Sequence, residues 1–321
     1  MLDLGAVFIG VPRLSQLSKL GIYITLQFSK DVIILKKGYI YAAISAILFG
    51  TAGIFVKLAY KTGLDSISLL IVQYMIAVFL MFLIAFLKDR KKLHVSKREL
   101  FNMVVLGVVG NTLMTVSYYK AFEHLQVAMV TMLLFTYPIM VFIYSIIFQG
   151  KKVGSKKILA IFIAFVGCAL TLNIFSGGAS FSMKGLIFGL LSAIFYAFMN
   201  LYTEKRLDNV DPLSINAYST LFSLITLFFM RKPGFLFEGN IKFESLVYII
   251  ILAVLCEIVP LTLLYTSIQH IGALKVSVIG NLEIPTAMIV SFVFLRETIS
   301  ITQIIGASLI VYAVYLIREQ K

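Results

Sequence analysis

The feature that most constrains this chain is a succession of apolar stretches, each of roughly 20 residues, running from residue 38 to residue 318. A helix of that length crosses the hydrocarbon core of a bilayer, and there the backbone must satisfy its polar groups within the segment itself. Helices are therefore expected near residues 38–60, 66–87, 99–122, 127–148, 157–174, 185–204, 213–230, 244–268, 273–295 and 302–318. The fold class read from this pattern is all-α membrane with ten transmembrane helices. Composition agrees: 60% of residues are hydrophobic and 13% charged, against about 45–50% and about 25% in soluble domains.

A net charge of +13 would suit a nucleic-acid binder if the bases formed one face. Here they collect in short loops between apolar runs, so nucleic acid is excluded as a partner and the lipid bilayer takes its place. Lys88, Arg90, Lys91, Lys92, Lys97 and Arg98 follow the second run, and Lys151, Lys152, Lys156 and Lys157 follow the fourth. The loop after the third run has no Lys or Arg, and that after the fifth has little beyond Lys184. Positive loops stay inside, which predicts a multi-pass protein of the plasma (cytoplasmic) membrane with both termini cytoplasmic; Arg231, Lys232 and Lys242 run against this rule. Residues 1–37 mix apolar stretches with Asp3, Pro12, Arg13, Lys19, Lys30 and Asp31; they form neither a clean span nor a signal peptide and receive no functional role.

The chain repeats itself. Gly38, Ala42, Ala46 and Gly50 in the first span recur 147 residues later as Gly185, Gly189, Ala193 and Ala197 in the sixth. Spacing by four puts small side chains on one stripe of a helix and lets another helix approach closely. Tyr119 and His124 match Tyr265 and His270 at an offset of 146, and Pro138 matches Pro285 at 147. Each half then holds five spans, residues 38–174 and 184–318, after an extension at 1–37. An odd count makes the second half enter the membrane the other way, an inverted repeat of the kind found in secondary transporters, with the substrate near the midplane between halves.

The paired stripes, the run LLFTYPIMVFIYSIIF and the ending GNLEIPTAMIVSFVFLRETISITQIIGASLIVYAVYL resemble the drug/metabolite transporter superfamily in its ten-helix EamA-type branch. Glu283, Pro285, Glu297 and Gly306 stand where that pattern has a Glu and Pro early in span 9, a closing Glu, and a Gly in span 10. The resemblance implies a permease that exports small metabolites such as amino acids by alternating access. Three positions depart from it: Ile284 separates Glu283 from the Pro, Gly150 stands opposite Glu297, and Gln73 replaces an Arg common in span 2.

Ionisable groups at bilayer depth cost about 2.5–3.5 kcal/mol each on insertion scales, so Glu257 and Glu283 require an explanation. Their first-half counterparts, Asn111 and Thr136, are neutral, and packing alone does not require that asymmetry. The two glutamates are candidates to bind a cationic or amine group, or to carry protons as the coupling ion. The alternative is a structural carboxyl hydrogen-bonded to a neighbouring helix, or paired with Lys275 or Lys57. Asn111, Asn281, Gln73, Tyr74, Tyr118, Tyr137 and Asn200 are further candidate cavity groups. Lys57 and Glu204, repeat-related because 57 plus 147 is 204, are gate candidates together with Lys275.

Cys168 and Cys256 lie singly in apolar runs, and no metal-ligand or nucleotide motif is present, so neither metal nor cofactor is expected. Every Asp falls in a loop or near a span end, which removes a paired-aspartate membrane protease. The chain is thus read as a transporter and not an enzyme, acting as a monomer or homodimer on a small-molecule metabolite. The alternatives are a non-transporting membrane sensor or scaffold, which predicts no cavity between the halves, and a membrane-embedded enzyme, which needs a convergent acid, base or metal cluster on one membrane face.

Overall fold

The computed structural model describes residues 14–61, 63–122, 124–125, 127–150, 154–172, 182–237, 243–295 and 299–318. Among them every long regular element is helical. The first half holds α1 (Leu14–Lys61), α2 (Ser66–Lys88), α3 (Lys97–Val105), α4 (Leu113–Phe122), α5 (Val127–Leu134), α6 (Tyr137–Ile147) and α7 (Ser155–Thr171). The second holds α8 (Met183–Arg206), α9 (Pro212–Met230), α10 (Phe243–Ala253), α11 (Val259–Ile271), α12 (Ala273–Gly280), α13 (Glu283–Leu295) and α14 (Ile301–Arg318). Eight described helical segments are long and apolar enough to cross a membrane, from Ile33–Lys61 to Ala273–Phe294. The expected fifth and tenth spans are a shorter pair: α7 has 17 residues, and the apolar part of α14 is Ile301–Ile317. Residues 14–37 join α1 as a backward extension of the first span.

Local chemistry sets the helix starts. Asp65 N-caps α2 by accepting from the backbone N–H groups of Ile67 and Ser68, and Asp211 does the same for α9 with Leu213 and Ser214. These caps are repeat-related, since 65 plus 146 is 211. Ser96 and Glu99 close a capping box on α3. Each cap satisfies donors that would otherwise be orphaned in the first turn.

The small-residue stripes pack across to the other half. Gly38 lies against His270 and Ile271, while its counterpart Gly185 lies against His124 and Leu125. A Cβ on Gly50 would come within 2.6 Å of the Glu283 carbonyl oxygen, so α1 touches the backbone where α13 begins. The ends of the molecule are tied with the same reciprocity. Asp65 pairs with Arg231 at 2.6 Å, and Asp211 pairs with Lys92 at 2.7 Å. Each capping aspartate therefore meets a base from the loop after the second span of the other half. At the Asp211 end, the Gln269 amide also donates to the carbonyls of Leu207 and Val210. Along α7 and α14, Gly167 and Gly306 meet backbone to backbone: a Cβ on Gly306 would stand 2.5 Å from Thr171 N and 2.6 Å from Gly167 O.

Two of the long apolar segments are broken and two are locally unwound, at repeat-related positions. Residues 135–136 separate α5 from α6, and residues 281–282 separate α12 from α13, with Pro138 and Pro285 just beyond. Leu106–Thr112 and Val254–Ile258 are π-helical, each in the middle of a span. Adding 146 to 108–112 gives 254–258, so the second turn falls within the repeat of the first. A π turn adds one residue to the helical ladder and rotates the side chains beyond it, and such turns concentrate at functional sites.

Candidate functional site

The four irregular points border one partly open cavity of about 170 Å³ between the halves. Its wall carries Glu257 from the second π turn, Asn111 from the first, and Glu283 from the first turn of α13. Gln73 and Tyr74 reach it from α2, Thr115, Tyr118 and Tyr119 from α4, and Tyr196 from α8. Phe49, Ala52, Val56, Leu70, Met114, Leu134, Met199, Leu252, Cys256 and Leu261 complete it. Ala52, Val56 and Leu70 lie in the parts of α1 and α2 nearest Asp65, so the cavity reaches toward the end tied by Asp65 and Arg231.

No Lys, Arg or His stands among the described lining residues. Two carboxyl groups surrounded by hydroxyl, amide and aromatic groups favour a cation or a proton over an anion, which would meet no counter-charge here. A larger groove of about 620 Å³ between α2 and α9, floored by Phe79, Phe82, Phe86 and Phe228, is open to the outside and has no ionisable side chain in its wall.

Glu257 is buried, and the Thr220 hydroxyl donates to its Oε1 at 3.0 Å. Asn216 secures the same turn: its Nδ2 donates to the carbonyls of Glu257 and Ile258, each at 3.2 Å, and to Thr262 Oγ1 at 3.1 Å. On the first-half turn, Ser223 donates to the Gly107 carbonyl at 2.9 Å, and Asn111 Nδ2 donates to Ser219 Oγ at 3.4 Å. Gly107 is small because the Ser219 carbonyl lies against it. One stripe of α9 (Asn216, Ser219, Thr220 and Ser223, all fully buried) therefore holds both π turns. These positions are spaced 0, 3, 4 and 7, one face of a helix.

The cavity brings together Glu257, Glu283, Asn111, Gln73, Tyr74 and Tyr118 of the residues singled out in the sequence. The other three candidates stand behind the wall. Tyr137 packs on Tyr196 with ring centroids 4.3 Å apart and donates to the Ser277 carbonyl at 3.0 Å. Asn281 accepts from Cys168 Sγ at 3.3 Å and donates to the carbonyls of Ser277 and Val278, bracing the break before α13. Asn200 Nδ2 donates to the Tyr196 carbonyl at 2.8 Å.

Of the gate candidates, Glu204 and Lys275 are not among the residues that line the cavity. Glu204 rests against Gly272, and Lys275 Nζ is 5.6 Å from the Tyr39 ring centroid. The side chains of Lys57 and the whole of Glu297 fall outside the described residues. The α1 backbone nevertheless separates Lys57 from Gly38 by 19 residues (57 minus 38), roughly 28 Å of helix. Glu204 is at the Gly38 end, next to the segment that Gly38 touches, so Lys57 and Glu204 do not pair with each other.

Thr115, Tyr119, Tyr196 and the α9 stripe were not singled out in the sequence. Tyr119 carried a signal as the repeat partner of Tyr265, and the 0, 3, 4, 7 spacing of polar residues within an apolar span marked the stripe.

Comparison with known proteins places this geometry. An uncharacterized transporter of Archaeoglobus fulgidus is 26% identical over 273 residues, covering 85% of this chain and 93% of the relative. An uncharacterized transporter of Clostridium kluyveri is 23% identical over 294 residues, covering 86% and 91%. A protein of known crystal structure shares the fold with a TM-score of 0.71 at 15% identity, over 88% of this chain and 96% of its own. The model of the EamA-like transporter family matches twice, at residues 36–173 and again at 183–318, so this multi-pass membrane protein belongs to the EamA-like transporter family.

Proposed function

We propose that the protein is a secondary transporter that exports a small metabolite, of the amino acid or amine class, by alternating access. Its site is the cavity between two inverted five-helix repeats, residues 38–174 and 184–318, in a ten-span arrangement with both termini cytoplasmic. The observation that carries this reading is the convergence of two carboxyl groups, two π turns and two helix breaks on one cavity. Irregular backbone within a membrane span is tolerated where it lines a cavity, and half-helix ends at mid-depth offer partners to a bound solute.

The reciprocal packing supports the inverted arrangement. Gly38 on His270 and Gly185 on His124 are the same contact made at opposite ends, as are the two aspartate–base pairs. An amino group fits the Glu257 and Glu283 side of the cavity, and proton exchange at either carboxyl offers a route to coupling. The test is a panel of amino acids and amines screened by thermal stabilisation of purified protein, followed by uptake of the hits into proteoliposomes. Stabilisation and saturable uptake lost in a Glu257→Gln, Glu283→Gln double variant are expected. Hits transported equally well by that variant would remove the cavity from the pathway.

A further inference from the structure

We infer that Thr220 is a positioning residue that passes the protonation state of Glu257, through Asn216, to the hydrogen bonding of the Val254–Ile258 turn. The inference rests on the reading above, in which Glu257 takes and releases a proton.

The geometry is that of a hydroxyl with two acceptors. Thr220 Oγ1 lies 3.0 Å from Glu257 Oε1 and 3.1 Å from Asn216 Oδ1. It has one proton to give. When Glu257 is ionised, both its oxygens only accept, and the charge-assisted bond from Thr220 wins. Asn216 Oδ1 is then left facing a lone pair. When a proton from the aqueous phase binds Oε1, the carboxylic acid becomes the donor to Thr220 Oγ1. The Thr220 proton turns to Asn216 Oδ1, and no other bond is made or broken.

Asn216 transmits the change. Its Nδ2 has two protons for three acceptors: the carbonyls of Glu257 and Ile258, and Thr262 Oγ1. An amide that accepts at oxygen is a stronger donor at nitrogen, because hydrogen bonds in a chain polarise one another. Protonation of Glu257 therefore tightens the hold of α9 on the π turn, and ionisation slackens it. The device belongs to one half. At the offset of 146 set by Asp65 and Asp211, Thr220 corresponds to Tyr74 and Asn216 to Leu70, which cannot make the relay.

The other titratable groups around Glu257 are Tyr74 from α2, Tyr119 from α4, Tyr265 from α11, Cys256 beside it and Glu283 across the cavity. On α1 the side chain of Lys57 is outside the described residues. The experiment must therefore separate Glu257 from these groups by substitution.

Hydrogen–deuterium exchange of the purified full chain, read on peptides covering residues 254–263 between about pH 5 and about pH 9 and corrected for intrinsic rates, does so. Wild type should show roughly two- to tenfold greater protection in the acidic range, the effect of one net hydrogen bond. Thr220→Ser keeps the hydroxyl and should keep that pH dependence. Thr220→Val is nearly isosteric without it and should flatten the profile; Thr220→Ala supplies a second test if Val does not pack. Glu257→Gln, whose amide donates as the acid does, should stay at the protected level at every pH. A wild-type profile in both Thr220→Val and Thr220→Ala overturns the relay. A wild-type profile in Glu257→Gln shows instead that Glu257 is not the titrating group, and then the reading beneath the relay fails.

Discussion

Asn111 and Glu257 occupy the same step of two π turns, 146 residues apart, but they are differently engaged. The Asn111 amide lies between Ser219 Oγ at 3.4 Å and the Tyr265 hydroxyl at 3.5 Å. Glu257 receives a hydroxyl on one carboxyl oxygen and borders the cavity. A duplicated scaffold thus offers one neutral and one acidic side chain to the same space. Whether this pair serves transport is probed by substituting each member in turn.

Glu257→Gln is expected to lower substrate-coupled transport at least about tenfold, a difference worth about 1.4 kcal/mol, and to leave the residual rate insensitive to pH. Asn111→Asp should not compensate, because Ser219 and Tyr265 hold that position in place. Proteoliposome uptake across a pH series measures both. Wild-type rates and pH dependence in Glu257→Gln would sink the assignment.

The Gly167–Gly306 contact predicts a stability effect remote from the cavity. Gly306→Leu should destabilise the protein by about 1–3 kcal/mol, since its Cβ already meets the Thr171 backbone and the helices must separate to admit the rest. Gly234→Ala, where nothing lies within 4 Å of the new Cβ, should stay within about 0.5 kcal/mol. Thermal melts in one detergent compare them, and equal melting temperatures would contradict the tight seam.

Asp65 gives a pH prediction outside the membrane. Partial burial works against its charge, but hydrogen bonding by Ser68 and the Arg231 guanidinium outweigh this and hold its carboxyl below the usual carboxylate range. A carboxyl lowered on folding adds stability above its unfolded pKa of about 4, and that stability is lost as pH falls through the folded value. Both partners are more than one third exposed, so the pair contributes about 1 kcal/mol at most and weakens with salt. Asp65→Asn keeps the cap acceptor and should cost that amount at neutral pH, fading in acid. Asp65→Ala should cost about 1 kcal/mol more through the lost cap. An Asp65→Asn deficit that persists unchanged at low pH would refute the ion-pair account.

Topology is open to labelling. With Cys168 and Cys256 buried, a cysteine introduced at Lys91 or Asn209 should react only from the cytoplasmic side, and one at Lys61 or Lys232 only from outside. A membrane-impermeant maleimide on intact cells and inverted vesicles distinguishes the faces. Lys91 and Asn209 labelled from opposite sides would break the inverted-repeat arrangement.

Span positions were legible because apolar length is written directly in composition: α2, α8 and α9 fall within a few residues of expectation. The exceptions have physical causes. α7 and α14 are the shortest of the expected spans, with 17 and 18 described residues, at the low end of the length that crosses a bilayer. The π turns leave almost no trace in sequence, because shifting a hydrogen bond by one residue changes no side chain; Gly107 and Pro260 are the local hints. Glu257 and Glu283 stood out through the cost of charge in lipid. Thr220 and Asn216 did not, because small polar residues are common in membrane helices and only their shared face reveals a task. Tyr137, Asn200 and Asn281 were chosen for polarity at the right depth, and depth does not say which side of a helix faces the cavity.

The glycine seam between α7 and α14 bears on how such a molecule can move. Backbone meets backbone at Gly167 and Gly306, and the side chains of Thr171 and Ile310 close on the same point, so there is no slack to take up a slide. A rearrangement that reshaped the cavity would therefore be expected to turn about this seam and leave it closed.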